Sequence, residues 1–233
     1  DRVFNTYNLT LMKTKVFFLV CMILLVGTQG LQSQSDAFSV IDVPKKYSEL
    51  DTLLCQVYKD DQSIRKEAYK MFQVGVHERI NLQQKIDSID TNNQKIVFGI
   101  LDSIGWPNNL SDMANRGIFI VIDHSNLESQ KKYLPLVKEQ SQKGTIEKGG
   151  YATLLDRVLM KSNEKQIYGT QTITRQKDGK TILYVWPIQN PTQIDSLRKS
   201  VDLPPMDDYI KLVSSVYKQP CKWDKDLEIN DFK

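Results

Sequence analysis

The pattern that most constrains this chain is the apolar series Ile80, Ile86, Ile89, Ile96, Val97, Ile100 and Ile104, which halts at Gly105-Trp106-Pro107. Residues three and four apart share one face of a helix. Glycine permits the left-handed turn that ends a helix, and a proline shortly after it prevents resumption. One long helix, or two in succession, is therefore expected up to Ile104. The same spacing in Tyr47, Leu50, Leu53, Leu54, Val57 and Tyr58 predicts a helix from Pro44 onward. The polar stretch from Asp60 to Arg65 then reads as a turn, with Asp61 or Ser63 capping a second short helix from Glu67 to Phe72.

Ser111-Asp112 opens another helix. The run Ile118-Phe119-Ile120-Val121-Ile122 is ambiguous from its residues alone, since β-branched content favours a buried strand and its place after a helix start favours a buried helix. Asn126 caps a helix from Leu127 to Gln142, which Pro135 kinks or restarts and Gly144 ends. From Gly149 the residues Tyr151, Leu154, Leu155, Val158 and Leu159 form one stripe, flanked by Asp156 and Arg157. A hairpin is expected near 166–187, with strands over Ile167–Arg175 and Thr181–Trp186 around Asp178-Gly179. Pro191–Ser200 and Pro205–Tyr217 read as two short helices, and the charged tail after Cys221 as loose. No repeat or low-complexity linker interrupts residues 36–233. The expectation is a single, mainly α (α+β) domain carrying one β-hairpin in its C-terminal half.

The amino terminus has a different character. Met12, Lys13 and Lys15 precede an apolar run of eleven residues, Val16 to Val26, and small residues follow at Thr28-Gln29-Gly30 and Ser33-Gln34-Ser35. That order is expected of a secretory signal over residues 12–35, with residues 1–11 as upstream sequence translated in frame. The run is too short for a bilayer, which needs about 20 residues, so no stable membrane span is expected after cleavage. The predicted location is periplasmic or extracellular. The whole chain has 31 basic and 28 acidic residues. Removing Arg2, Lys13, Lys15 and Asp1 leaves 28 and 27, a charge of +1. Such a balance gives no electrostatic case for nucleic acid as a partner. Cys55 and Cys221 remain, and either one disulfide or two separate thiols suits an exported domain of this size.

Several chemistries are missing. With two histidines, His77 and His124, there is no zinc-ligand spacing, no EF-hand-like loop, no glycine-rich phosphate loop and no nucleophile elbow. No metal and no cofactor is expected. An acid–base site survives these exclusions. His124 follows the apolar run, where a helix would tuck it at the edge of a core; it serves as a general base if Asp123 or Asp156 orients it, or simply bonds a backbone carbonyl. Arg157 can anchor an anion with its rigid fork or hold structure. In a strand, Gln166, Tyr168 and Thr170 would face one way and Gln171 the other, as a ligand-facing row or a polar ladder. Gly169 among them suggests close backbone approach.

Set in order, Asp61-Gln62-x-x-Arg65, Asp90-x-x-Asn93, Gly105-Trp106-Pro107, Asp123-His124, Asp156-Arg157, Gln166-x-Tyr168-Gly169-Thr170-Gln171, Pro187-Ile188 and Arg198 with Leu203-Pro204 resemble a bacterial family catalogued as a domain of unknown function, number 6624. The resemblance covers about residues 45 to 215 and carries no activity. It implies a helix over Gly117–His124, a segment that is often alanine-rich in that family and ends in Gln-His. Asp123 stands here where the family commonly has glutamine. The expectation for function is a ligand- or partner-binding envelope protein, taking an unknown small molecule or an envelope protein, with Gln62, Arg65, Arg157, Tyr168 and Gln171 as binding residues. The alternative is an acid–base hydrolase of a cell-envelope substrate, with His124 as base, Asp156 as its orienter, and Arg157 and Tyr168 holding substrate.

Overall fold

The computed structural model describes residues 47–68, 75–177 and 179–232. The expected signal and upstream segments lie outside these residues. The fold is mainly α with a small β-sheet in its C-terminal half. The chain divides into two compact units, meeting in sequence between Ile146 and Glu147.

The first unit is helical. Helix α1 spans Tyr47–Ala68, α2 Val76–Ile104, α3 Asp112–Asp123 and α4 Leu127–Gln142. The stop at Gly105 is as expected: its φ is 71°, and its N–H bonds Leu101 O. Ser111 caps α3 by accepting from Ala114 N, and Asn126 caps α4 by accepting from Ser129 N. Both caps satisfy amides that a helix start leaves without intrahelical acceptors. Pro135 sits inside α4 without ending it. The ambiguous run Ile118–Ile122 is helical and buried on every side. A helix apolar all round is stable only as a core element. Gly117 lets α3 lie against α1, since a Cβ there would stand 2.5 Å from Leu54 O.

One expectation fails here. No turn separates Tyr58 from Glu67, because α1 continues through Asp61 and Ser63 to Ala68. Neither residue is a cap. The buried face continues with polar members, Asp61 and Arg65, where an apolar stripe would have Leu or Ile. The remainder of the expected second helix, residues 69–72, lies outside the described residues.

In the second unit, α5 spans Lys148–Lys161, β1 Thr172–Lys177 and β2 Lys180–Val185. A 3-10 turn at Pro191–Gln193 leads into α6, Ile194–Ser200, followed by α7, Met206–Tyr217. The hairpin is antiparallel, in register Thr172 to Val185 and Lys177 to Lys180, with Gly179 at φ 72°. A third strand, β3 (Cys221–Lys222), adds parallel to β2, and a 3-10 helix follows at Ile229–Phe232. The tail is therefore not loose: Phe232 packs on Trp186 and Tyr184, at 5.3 and 6.3 Å between ring centres. Leu183, Val185, Ile188, Ile194, Met206, Tyr209, Val213 and Cys221 make this unit's core. Cys55 and Cys221 are free thiols.

Candidate functional site

The strongest concentration of buried chemistry lies in the first unit. Asp61 and Arg65, four apart, share one face of α1, and Gln62 lies beside them. His124 is the C-cap of α3, its N–H on Ile120 O. Its Nδ1 stands 2.7 Å from Asp61 Oδ1. Gln62 Nε2 donates to the other Asp61 oxygen at 2.9 Å. Arg65 Nη2 lies 3.6 Å from Asp61 Oδ1 and donates to both Asp90 oxygens, at 2.6 and 2.7 Å. The result is a chain of polar side chains, His124–Asp61–Arg65–Asp90, running from α3 through α1 to α2. His124 is 8 % exposed, Arg65 5 % and Asp61 1 %.

Burial pushes the Asp61 carboxyl up, but the His124 and Arg65 charges and the bonds from His124 and Gln62 outweigh it and hold the group below its ordinary value. Asp90 goes the other way: burial raises it, with Arg65 only partly offsetting the rise. An ionised Asp61 can only accept, so the imidazole proton sits on Nδ1 and, in neutral His124, Nε2 carries a lone pair. That nitrogen is buried and has no hydrogen-bond partner among the described residues. Asp123 Oδ2, 4.0 Å away, is placed to attract it once protonated. Chemically this is an oriented acid–base group. Ser125, next in sequence, is not a ready nucleophile, because its hydroxyl donates to Ile122 O at 2.7 Å. Two surface grooves, of about 560 and 650 Å³, are lined by residues other than His124.

Asp156 occupies a different setting in the second unit. Oδ1 accepts from the Ile167 and Tyr168 amides at 2.8 and 3.1 Å; Oδ2 accepts from Tyr168 and Thr170 amides and the Thr170 hydroxyl at 3.1, 3.0 and 2.9 Å. Burial raises this carboxyl, and those same donors oppose the rise. Residues 166–171 are thus not part of a strand. They form a loop wrapped round a carboxylate, and the first strand begins only at Thr172. Gln166 closes the loop by donating to Gln171 O and Trp186 O while accepting from Gln171 N. Arg198 Nη1 holds the carbonyls of Tyr168 and Gly169 from outside, and Tyr209 donates its hydroxyl to Thr170 O. Gly169, at φ 67°, has the side chains of Met206 and Ile188 where a Cβ would go, so what approaches it closely is side chain rather than backbone.

Among the expected site residues, His124, Gln62 and Arg65 come together. The carboxylate on His124, however, is that of Asp61; both oxygens of Asp156 accept from its own loop. Gln171 is buried, its amide donating to Thr153 O and Thr170 Oγ1, a structural use. Tyr168 is half-buried, and Arg157 is buried on α5. Asp61 is among the residues that carry the family resemblance, but its pairing with His124 was hidden by the turn expected at its position. Continuing the stripe of Leu54 and Val57 by three or four residues reaches Asp61 and then Arg65, which is the signal that would have found the polar series. Among the described residues no cluster of three or more His, Cys, Asp or Glu side chains is arranged to hold a metal ion, and no helix is long and apolar enough to cross a membrane.

Residues 25–222 match the model of a family described as a family of unknown function, DUF6624. No curated protein and no solved structure matches the chain.

Proposed function

This chain belongs to the family of unknown function DUF6624, which supplies no activity to inherit, and from the geometry we propose that it is a binding protein whose polar ligand docks at His124. The observation that carries this reading is a buried Nε2 with no partner among the described residues, on a ring whose other nitrogen is fixed by Asp61. A buried polar atom without a partner carries a desolvation penalty of about 1–3 kcal/mol, which a ligand hydrogen bond relieves. Gln62 and Arg65 set the carboxylate that sets the ring. Lys13, Lys15 and the apolar run after them support a place of action outside the cytoplasm, so cell-envelope fragments are the ligands to try. The test is a histidine NMR titration of the protein with soluble peptidoglycan fragments and short peptides, with exposed His77 as internal control. Binding should move the His124 ring signals and leave His77 in place, and His124→Gln should abolish the heat of binding in calorimetry. Fragments that bind without touching His124 would overturn the assignment.

A second reading has its own support. An imidazole oriented by a carboxylate, with the opposite nitrogen unengaged, is what general-base catalysis requires. In this acid–base hydrolase reading His124 is the base and Asp61 its orienter. Turnover of an envelope fragment, lost in His124→Gln and reduced in Asp61→Asn, would select it over simple binding.

A further inference from the structure

We propose that Asn93 and His124 together seat a hydroxyl group, on water or on a ligand, between Asn93 Nδ2 and His124 Nε2. The inference rests on the reading of the His124 cluster as a ligand site and specifies what enters it.

Asn93 is 2 % exposed, and its Nδ2, like His124 Nε2, has no hydrogen-bond partner among the described residues. Two idle polar atoms in one buried neighbourhood are costly unless a third group serves both. Helix geometry places them at one level. The Asp51 carboxylate of α1 receives Ser111 N, the cap of α3 at the far side of the loop that follows α2, while Arg65 of α1 meets Asp90 near the middle of α2. The two helices therefore run antiparallel. One turn back along α1 from Arg65 is Asp61, and one turn on along α2 from Asp90 is Asn93. Asn93 thus stands at the level of Asp61, where the His124 ring docks.

The chemistry of the two atoms selects the occupant. An amide nitrogen only donates. Nε2 of a neutral imidazole whose Nδ1 proton points to Asp61 only accepts. A hydroxyl can accept from the first and donate to the second. A carboxylate oxygen has no proton for Nε2 and would lie among Asp61, Asp90 and Asp123. An ammonium group cannot accept from the amide.

Long-range nitrogen–proton spectra of histidine-labelled protein near neutral pH test this directly. They would be recorded for the wild type and Asn93→Leu, in buffer and with N-acetylglucosamine as the hydroxyl-bearing probe. The expected result is a ring protonated at Nδ1, with Nε2 displaced from its free shift by a hydrogen bond. Displacement in buffer alone means a seated water; displacement only with the saccharide means a ligand hydroxyl. Asn93→Leu should return Nε2 to its free value and leave Nδ1 unchanged. A free Nε2 in both conditions, a proton on Nε2, or no response to Asn93→Leu overturns the proposal. If that variant does not fold, the wild-type spectra decide, since bonded and free Nε2 differ without it. Should fragments bind through His124 while Nε2 stays free of a hydroxyl, the seat fails and the binding reading stands. Should Nε2 be bonded in buffer while no fragment reaches His124, the seat holds and the ligand reading fails.

Discussion

Replacing Asp156 with alanine removes the carboxylate on which a loop's amides converge, and the cost follows from what is left behind. Three amides and one hydroxyl lose their acceptor together. The Ile167 and Tyr168 amides are part-buried, so water reaches them after a small shift; each loses about 1 kcal/mol, the net worth of a hydrogen bond. The Thr170 amide is fully buried and loses about 2 kcal/mol as an unsatisfied donor. Its hydroxyl also accepts from Gln171 Nε2, a bond that survives the substitution, and adds less. Allowing for relaxation, Asp156→Ala should lose about 3–5 kcal/mol, a large part of the 5–15 kcal/mol typical of a folded domain. Thr170→Val, which removes only the hydroxyl, should lose about 1 kcal/mol. Urea unfolding followed by circular dichroism measures both, with an unchanged slope confirming that the midpoint reports stability. A loss under 1 kcal/mol for Asp156→Ala would refute this structural role and restore Asp156 as a candidate for chemistry.

Three further outcomes follow from the same geometry. Asp61 is held below its ordinary 3.8, so its ionised form contributes stability that is complete above that value and lost as pH falls through the lower folded value. Asp61→Asn should therefore be weaker than wild type by about 3 kcal/mol at pH 6, with the gap narrowing in acid; a gap independent of pH would sink the argument. Gly117→Ala puts a Cβ against Leu54 O and should lose about 1–3 kcal/mol by forcing α1 and α3 apart, so an unchanged melting temperature would count against that contact. Burial pushes the Cys221 thiol up to about 12, so iodoacetamide at pH 8 should label half-buried Cys55 but reach Cys221 only in denaturant, as peptide mass spectrometry would show.

The sequence by itself placed most of the helices, because their signals are local. The stop at Gly105 and the caps at Ser111 and Asn126 act within one turn, and an apolar stripe reports its own period. It also identified the hairpin and the residues that mark the family. Local signals misled where a buried face turns polar: Asp60–Arg65 looks like a turn only if core positions must be apolar, yet α1 carries Asp61 and Arg65 inward because side chains from other helices bond them. They misled again at Gln166–Gln171, whose alternation imitates a strand while its amides converge on Asp156. The partner of His124 was the decision of tertiary structure alone. Asp61 lies 63 residues away, and the two meet because Gly117 lets α3 settle on α1 at a level that brings its last residues beside the Asp61 turn. Hydrogen bonds reach only about 3 Å, so which carboxylate orients the imidazole is set by how helices cross, and no spacing along the chain records that crossing.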